Sequence, residues 1–350
     1  MSQHTYSTKD PARILILPPH DLWALWTGRA PGDEEDRERP FRILAQHGIA
    51  YKRIDIHRWP LNPAARAHPA LRAIDPLRAM HVLLRERNAD LVLCFFEPAA
   101  LVLLLLRRLF RFRARVAVVD VGALDGWRIR RMIQNMVVPR ADILLPYSAQ
   151  QANLVRQIWP RARRVESVFA NVDCDFYTMA ADQPAGPVLA IGDDASRDYA
   201  TFLSAIETLD HPVVLRTRLA LPTAPAHPRL QLLTTMLATT AYRDLIASAA
   251  IVVLPLHPAD YAGGVTVLVQ AMASGKAVIV SASAGIADYV EHEVSALVVP
   301  CHDAAALRTA MARLLQDHAL RQRLGLAARA RAQAIFSLQA WAARIGALVP

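Results

Sequence analysis

The chain has 350 residues, 53% hydrophobic and 20% charged, with a formal net charge of +9. This composition excludes a disordered chain, and the length predicts about two domains, each able to bury its own core. Of the 40 basic residues only Lys9, Lys52 and Lys276 are lysine.

In chain order, Arg13 to Leu17 reads as a first buried parallel strand ending at Pro18-Pro19. Further strands are predicted at Ala89 to Phe95, Arg115 to Val121, Ala141 to Leu145 and Arg164 to Phe169, with helices at His68 to Arg87 and Gly126 to Val138. A polar break follows at Ala181 to Pro187. The pattern then restarts, with strands at Val188 to Ile191, Val213 to Thr217, Ile251 to Pro255 and Ala277 to Val280. Helices fall near Tyr199 to Thr208, Tyr242 to Ser248, Thr266 to Ala273, Ala304 to Gln316 and His318 to Ile335, and a closing segment from Leu338 to Leu348 follows an N-cap at Ser337. Strands alternating with helices imply parallel sheets, and the economical α/β architecture is two Rossmann-like domains facing each other across a cleft. The expected division is an N-terminal Rossmann-like domain over 1–182, a second Rossmann-like domain over 183–336, and a C-terminal helix over 337–350 packing back on the first domain.

Cys94, Cys174 and Cys301 are far apart and form no CxxC pair, which argues against a disulfide framework or a structural zinc site. Met1 to Asp10 is polar, without the apolar stretch of a secretory signal, and the apolar run Pro98 to Leu106 is about half the ~20 residues a membrane span needs. The expected location is cytoplasmic, with peripheral contact at the inner face of the cytoplasmic membrane.

That last expectation rests on where the charge lies. Residues 1–100 are net +2, 101–140 net +7, 141–300 net −5 and 301–350 net +5. In the most basic segment an apolar run over 99–106 leads straight into Arg107, Arg108, Arg111, Arg113 and Arg115, with Phe110 and Phe112 between them. One reading is a surface that meets anionic headgroups while its apolar flank enters the interface. The plainer reading is a buried helix followed by a solvated basic loop. No nucleic-acid-binding motif accompanies the charge, so no nucleic acid partner is expected.

Tyr261-Ala262-Gly263-Gly264-Val265-Thr266 opens the predicted helix that runs on through Gln270. Adjacent glycines let a backbone approach a ligand closely, and a helix N-terminus offers free N–H groups to a phosphate. On spacing alone, an ordinary tight turn is an equal reading.

The wider context is more specific. Ala271-Met272-Ala273-Ser274-Gly275-Lys276-Ala277-Val278, Gly285 with Asp288-Tyr289-Val290, and Leu297-Val298-Val299-Pro300 resemble successive motifs of the retaining family 4 (group 1) glycosyltransferases of GT-B fold. The helix from Asp303 to Leu315, the terminal Ala334 to Leu338 element, and Asn171-Val172-Asp173 followed by Phe176 are similar to further stretches of that family. The resemblance covers roughly residues 85–345 and is strongest over 240–340. It implies a retaining, hexosyltransferase-type enzyme, with a nucleotide-diphosphate sugar as co-substrate and no metal. The acceptor would be a glycan or lipid-linked molecule, as in polysaccharide biosynthesis.

The departures are as informative. The family's glutamate pair, eight positions apart, falls on Ala262 and Gln270. The glutamine retains hydrogen-bonding capacity toward ribose hydroxyls, whereas the alanine has none. A catalytically impaired subunit that binds nucleotide or a partner protein is therefore the alternative. Of the family's two basic diphosphate ligands, the arginine falls on Asp193 and the lysine on Arg197, just beyond Gly192. Donor-binding candidates are thus Gly192, Arg197, Gly263, Gly264, Val265, Thr266 and Gln270. Catalytic candidates are Asp120, where the family often has a histidine, and Glu97. Acceptor-binding candidates are His20 and Asp21, and membrane-surface candidates are Arg107, Arg108, Arg111 and Arg113. Asp173-Cys174-Asp175 is formally a DxD motif, but it lies in the stretch resembling the linker and is not expected to hold a metal.

Overall fold

A computed structural model describes residues 13–18, 39–55, 74–119, 128–221 and 227–349. Two parallel sheets carry the fold. The first is ordered β2-β1-β3-β4-β5 and comprises β1 (Arg13–Leu17), β2 (Ala50–Arg53), β3 (Leu91–Phe95), β4 (Arg115–Val119) and β5 (Ile143–Leu145). The second is ordered β11-β10-β9-β6-β7-β8. Its strands are β6 (Val188–Ile191), β7 (Val213–Arg216), β8 (Leu230–Leu233), β9 (Ile251–Leu254), β10 (Ala277–Ser281) and β11 (Leu297–Val299). Short runs of Val, Ile and Leu, buried on both faces, are what a sheet covered by helices on each side requires.

Among the described residues the helices are α1 (Arg39–Gln46), α2 (Pro76–Arg85), α3 (Glu97–Leu106), α4 (Arg128–Val137) and α5 (Ala149–Ile158) in the first half. The second half has α6 (Tyr199–Ile206), α7 (Thr239–Ser248), α8 (Val265–Ala273), α9 (Ala304–Gln316), α10 (His318–Arg331) and α11 (Leu338–Gly346). Their starts follow local chemistry. Asp75, Ser148, Asp198, Asp303, Asp317 and Ser337 each accept a hydrogen bond from a backbone N–H of the helix they open.

The strand expected at Arg164 to Phe169 does not form. It is reduced to a single bridge between Leu144 and Val165, and Phe169, at φ 56°, turns the chain away from the sheet. Three strands are not predicted from the sequence: β2, β8 and the three-residue β11, whose Leu297–Val299 is read there only as part of a family motif. β2 (AYKR) and β8 (LQLL) are edge strands whose side chains stay largely in contact with solvent, so neither has a continuous apolar run.

The two halves are joined by more than the linker. Tyr289 Oη donates to the Tyr147 carbonyl at 2.5 Å and accepts from the Ala170 N–H at 2.8 Å, while Ala149 N–H donates to Asp288 at 2.6 Å. All of these lie at the C-terminal edge of the first sheet, just past β5, so that edge faces the second half. After α10 the chain returns to the first half. There Leu338, Trp341, Ala342 and Ile345 of α11 complete the core formed by Ile14, Ile16, Phe41, Leu91 and Val119. The Trp341 ring meets Phe41 edge-on at 6.1 Å.

Among the described residues Trp341 is the largest fully buried side chain, so Trp341→Ala should cost about 3–5 kcal/mol of unfolding free energy. Urea denaturation followed by circular dichroism measures this. A cost below about 1 kcal/mol would show that α11 is not part of the first domain's core.

Candidate functional site

In an open parallel sheet, ligands are held outside the C-terminal ends of the strands, where the strand order reverses. In the second sheet that point lies between β6 and β9, and the chain places there the two glycine-bearing turns singled out by sequence. Gly192 leaves β6 and Gly263-Gly264 leads into α8.

Arg197 connects them. Its side chain is almost fully buried, yet it is not absorbed by its neighbours. Nε donates to Asp194 at 3.0 Å, whereas Nη1 is buried with no hydrogen-bond partner. The glycines on either side explain how it fits. A Cβ on Gly192 would lie 2.3 Å from Arg197 Nε, and one on Gly264 would lie 2.8 Å from Nη1. Gly264 also has φ +73°, left-handed backbone that glycine adopts without strain. The guanidinium is therefore clasped between two backbones, with an unspent donor beside the first turn of α8. Leu256 pairs with Arg197 in an antiparallel bridge, and Tyr199 Oη donates to the Gly192 carbonyl at 2.7 Å. Burial pushes the Tyr199 phenol up to about 12, which keeps it a neutral donor holding the turn.

Val265 begins α8 and is buried, while Thr266 in its first turn is exposed. Deeper in the same helix Gln270 is buried and its Oε1 has no hydrogen-bond partner. Arg197 Nη1 and Gln270 Oε1 thus stand unsatisfied, where buried polar atoms are normally paired.

Asp193, which the resemblance aligns with the family's arginine, is paired with two arginines. Its carboxylate accepts from Arg216 Nη1 at 2.7 Å, from the Arg218 N–H at 2.7 Å and from Arg218 Nε at 2.8 Å. Two arginines thus reach the C-terminal edge of the sheet from β7 and the turn after it, next to the Gly192 turn. Sequence reasoning missed them, because only the pairing of Ile191 with Arg216 across β6 and β7 brings them together.

In the first half the corresponding reversal lies between β1 and β3. Glu97 stands there at the start of α3, but it is fully buried and accepts from Gln134 Nε2 at 2.8 Å. This bond ties α3 to α4. Before it, Phe96 has φ 65° and ψ 155°, a strained conformation for a residue with a side chain. Asp120, His20 and Asp21 lie outside the described residues.

The basic segment forms a turn between α3 and β4. Arg107 is committed to structure, donating to Asp142 at 2.6 Å, so it is not a free surface cation. Arg108, Arg111 and Arg113 are exposed, and with Arg140 and Arg163 they line a groove of about 860 Å³. Leu109, 77% exposed, projects from the same turn. The turn precedes β4, so it lies at the N-terminal edge of the first sheet, opposite the edge that faces the second half. Among the described residues no helix is long and apolar enough to cross a membrane. Asp173, of the DxD string, accepts from the N–H groups of Asp175 and Phe176 and pairs with Arg39 at 2.9 Å, as a linker turn does.

The comparisons with known proteins agree with this architecture. Residues 216–317 match the family model of the glycosyl transferases group 1. The whole chain superposes on sucrose-phosphate synthase from Thermosynechococcus elongatus at TM-score 0.73 and 19% identity, covering 96% of this chain and 98% of that one. It superposes on Anabaena HepE in complex with UDP and glucose at TM-score 0.68 and 16% identity, covering 96% and 99%. A trehalose-6-phosphate protein from E. coli bound with UDP-2-fluoro glucose gives 0.65 and 12%, covering 96% and 98%. No curated protein matches the sequence. The chain has the GT-B fold, and residues 216–317 in its second half are similar to the group 1 glycosyltransferases.

The Asp193 cluster has a pH signature. Burial works to raise its pKa, but the backbone and side-chain hydrogen bonds from Arg218 and that from Arg216 outweigh it, holding the carboxyl below its ordinary range. Its contribution is therefore present above the unfolded pKa of about 4 and is lost as pH falls through the depressed folded value. Asp193→Asn should cost about 1–3 kcal/mol at pH 7, and the gap from wild type should close as the pH is lowered from about 4. Denaturation over a pH series tests it, and a gap independent of pH would exclude the charge as its source.

Proposed function

We propose that the chain is a glycosyltransferase that moves a sugar from a nucleoside-diphosphate sugar to an acceptor, with retention of anomeric configuration. The observation that carries this reading is the buried Arg197, its Nη1 unpaired beside the Gly264 start of α8. A diphosphate laid across that turn would receive the free N–H groups of the helix and the guanidinium together. In the reaction the bond from the sugar's anomeric carbon to the diphosphate oxygen breaks and the electron pair leaves with the nucleoside diphosphate. The acceptor hydroxyl forms the new bond and loses its proton. Arg197 and the helix start stabilise the charge that grows on the departing diphosphate, so the transfer is proposed to need no metal.

Gln270 would meet the ribose hydroxyls, and the UDP complexes of the structural neighbours favour a UDP-sugar as the first donor to assay. Asp120, His20 and Asp21, which follow β4 and β1, are proposed to serve the acceptor. Arg197→Ala should lower kcat at least about 100-fold, the scale set by removing one such donor. Arg197→Lys should recover only part of it, because lysine lacks the planar fork. Sugar release and product anomer, read by NMR, test both claims. Unchanged turnover in Arg197→Ala would overturn the assignment.

Ala262, where the family carries a carboxylate toward the donor sugar, favours a second reading: an impaired subunit that binds nucleotide without transferring sugar. Saturable UDP binding without turnover of any nucleotide sugar in wild type would select it.

The exposed Arg108, Arg111 and Arg113 beside Leu109 are proposed to meet the anionic inner face of the cytoplasmic membrane, in keeping with a cell-surface glycan acceptor. Because the turn is on the edge away from the second half, it would anchor the protein and not line the acceptor site. Each arginine is worth about 1 kcal/mol at an anionic surface. Reversing all three to glutamate should therefore weaken binding to phosphatidylglycerol vesicles by about 100-fold or more while leaving transfer to a soluble acceptor intact. Equal sedimentation of variant and wild type with the vesicles would sink the proposal.

A further inference from the structure

One cluster of chemistry-bearing side chains borders the donor turn and is not used by the proposed transfer. Asp198, His257 and His302 come from three separate loops, those following β6, β9 and β11, and converge at the C-terminal edge of the second sheet. Each offers one ligand atom within 4.8 Å of the others. His302 Nδ1 lies 2.8 Å from Asp198 Oδ2, and His257 Nδ1 lies 3.9 Å from the same oxygen. The two imidazoles lean on each other with centroids 5.2 Å apart. Ligand atoms around a tetrahedral zinc ion, bonded at about 2.0–2.1 Å, are separated by about 3.3 Å. The spacings from Asp198 to His302 and to His257 fall on either side of that value.

The support behind the ligands is also that of a built site. Asp198 is almost fully buried, and Thr201 fixes both its oxygens, the backbone N–H donating to Oδ1 at 3.0 Å and Oγ1 to Oδ2 at 2.6 Å. His302 is held at φ 61°, unusual for a residue with a side chain, which turns its ring back toward Asp198. The His257 N–H donates to the Ser196 carbonyl at 2.9 Å, tying its loop to the turn that carries Arg197. Both rings are about half exposed, so an ion has a path in from solvent. Nearby Arg197 does not repel it unopposed, since Asp194 pairs with that guanidinium.

We propose that Asp198, His257 and His302 form a binding site for a divalent transition metal of the zinc class. Two imidazole nitrogens and one carboxylate oxygen are donors that suit Zn²⁺, Co²⁺ or Ni²⁺ and not Mg²⁺ or Ca²⁺, which take oxygen ligands. The fourth position remains for water. Bound there, the ion links the loops after β9 and β11 to the N-terminus of α6, one residue from Arg197. The site is independent of whether the protein transfers sugar.

The test uses the untagged full-length protein, stripped with EDTA, desalted and titrated with ZnCl₂ by calorimetry. CoCl₂ is followed in parallel by its visible absorption, whose intensity reports tetrahedral coordination. One site per chain is expected. The double variant His257→Gln/His302→Gln should lose at least about 100-fold in Zn²⁺ affinity, since ligand loss exceeds the 10–100-fold effect of second-shell changes. Asp198 is left in place because its Oδ1 caps α6. The chain has 12 histidines, so stoichiometry alone does not locate the ion. Zn²⁺ should raise the melting temperature of wild type and not that of the variant, whose metal-free melting temperature should match wild type. Unchanged Zn²⁺ affinity in the double variant, or no saturable binding in wild type below about 1 mM, would overturn the proposal.

Discussion

The second half of this protein is organised around a buried arginine that its surroundings leave incompletely satisfied. Burying a guanidinium is costly unless its donors are paired, and here Asp194 answers Nε while Nη1 is left open. Neither flanking glycine can carry a side chain without striking the guanidinium. The constraint spreads outward. Gly192 must leave β6 as it does for Arg197 to enter, Tyr199 anchors that turn, and Leu256 bridges to Arg197 from the end of β9. The reversal of strand order between β6 and β9 supplies the crevice in which these turns meet.

Charge placement gives the site a character that the total hides. The chain is net +9, yet residues 141–300 are net −5. The donor binding proposed above therefore cannot rest on a broadly positive face of this half. It would rest on oriented groups at close range, the helix start and the one buried arginine. Asp193, which the resemblance aligns with the family's arginine, is itself paired with Arg216 and Arg218, which come from β7 and the turn after it.

Much of this was legible in the sequence where the physics is local. β1, β6 and α9 have the limits the sequence predicts, since continuous apolar runs and capping residues such as Asp303 and Ser337 act over a few positions. The glycine turn and Arg197 were legible through a resemblance, and the glycine geometry gives that resemblance a steric reason. What was not legible depended on pairing between distant segments. Edge strands β2 and β8 lack an apolar signature because half of each faces solvent. Arg216 is unremarkable until β7 lies beside β6. The Gln134 amide that binds Glu97 lies 37 residues on, beyond the reach of local sequence patterns. The convergence of Asp198, His257 and His302 required all three strand ends to be placed.

The same reasoning separates two features that the sequence ran together. An apolar run followed by five arginines suggested an acceptor drawn from a membrane, as though anchoring and chemistry shared one surface. The helix α3 instead carries the chain from the cleft edge of the first sheet back to its far edge, so the basic turn emerges behind the domain. A parallel strand of five residues is about 16 Å long, and that length separates the turn from the strand ends where Asp120 and His20 follow. Anchoring through the turn would leave the cleft directed away from the surface that holds the protein. A lipid-linked acceptor would then have to reach around the first domain, whereas a long glycan would meet no such obstacle. The geometry therefore ties the class of acceptor to the orientation of the anchored protein.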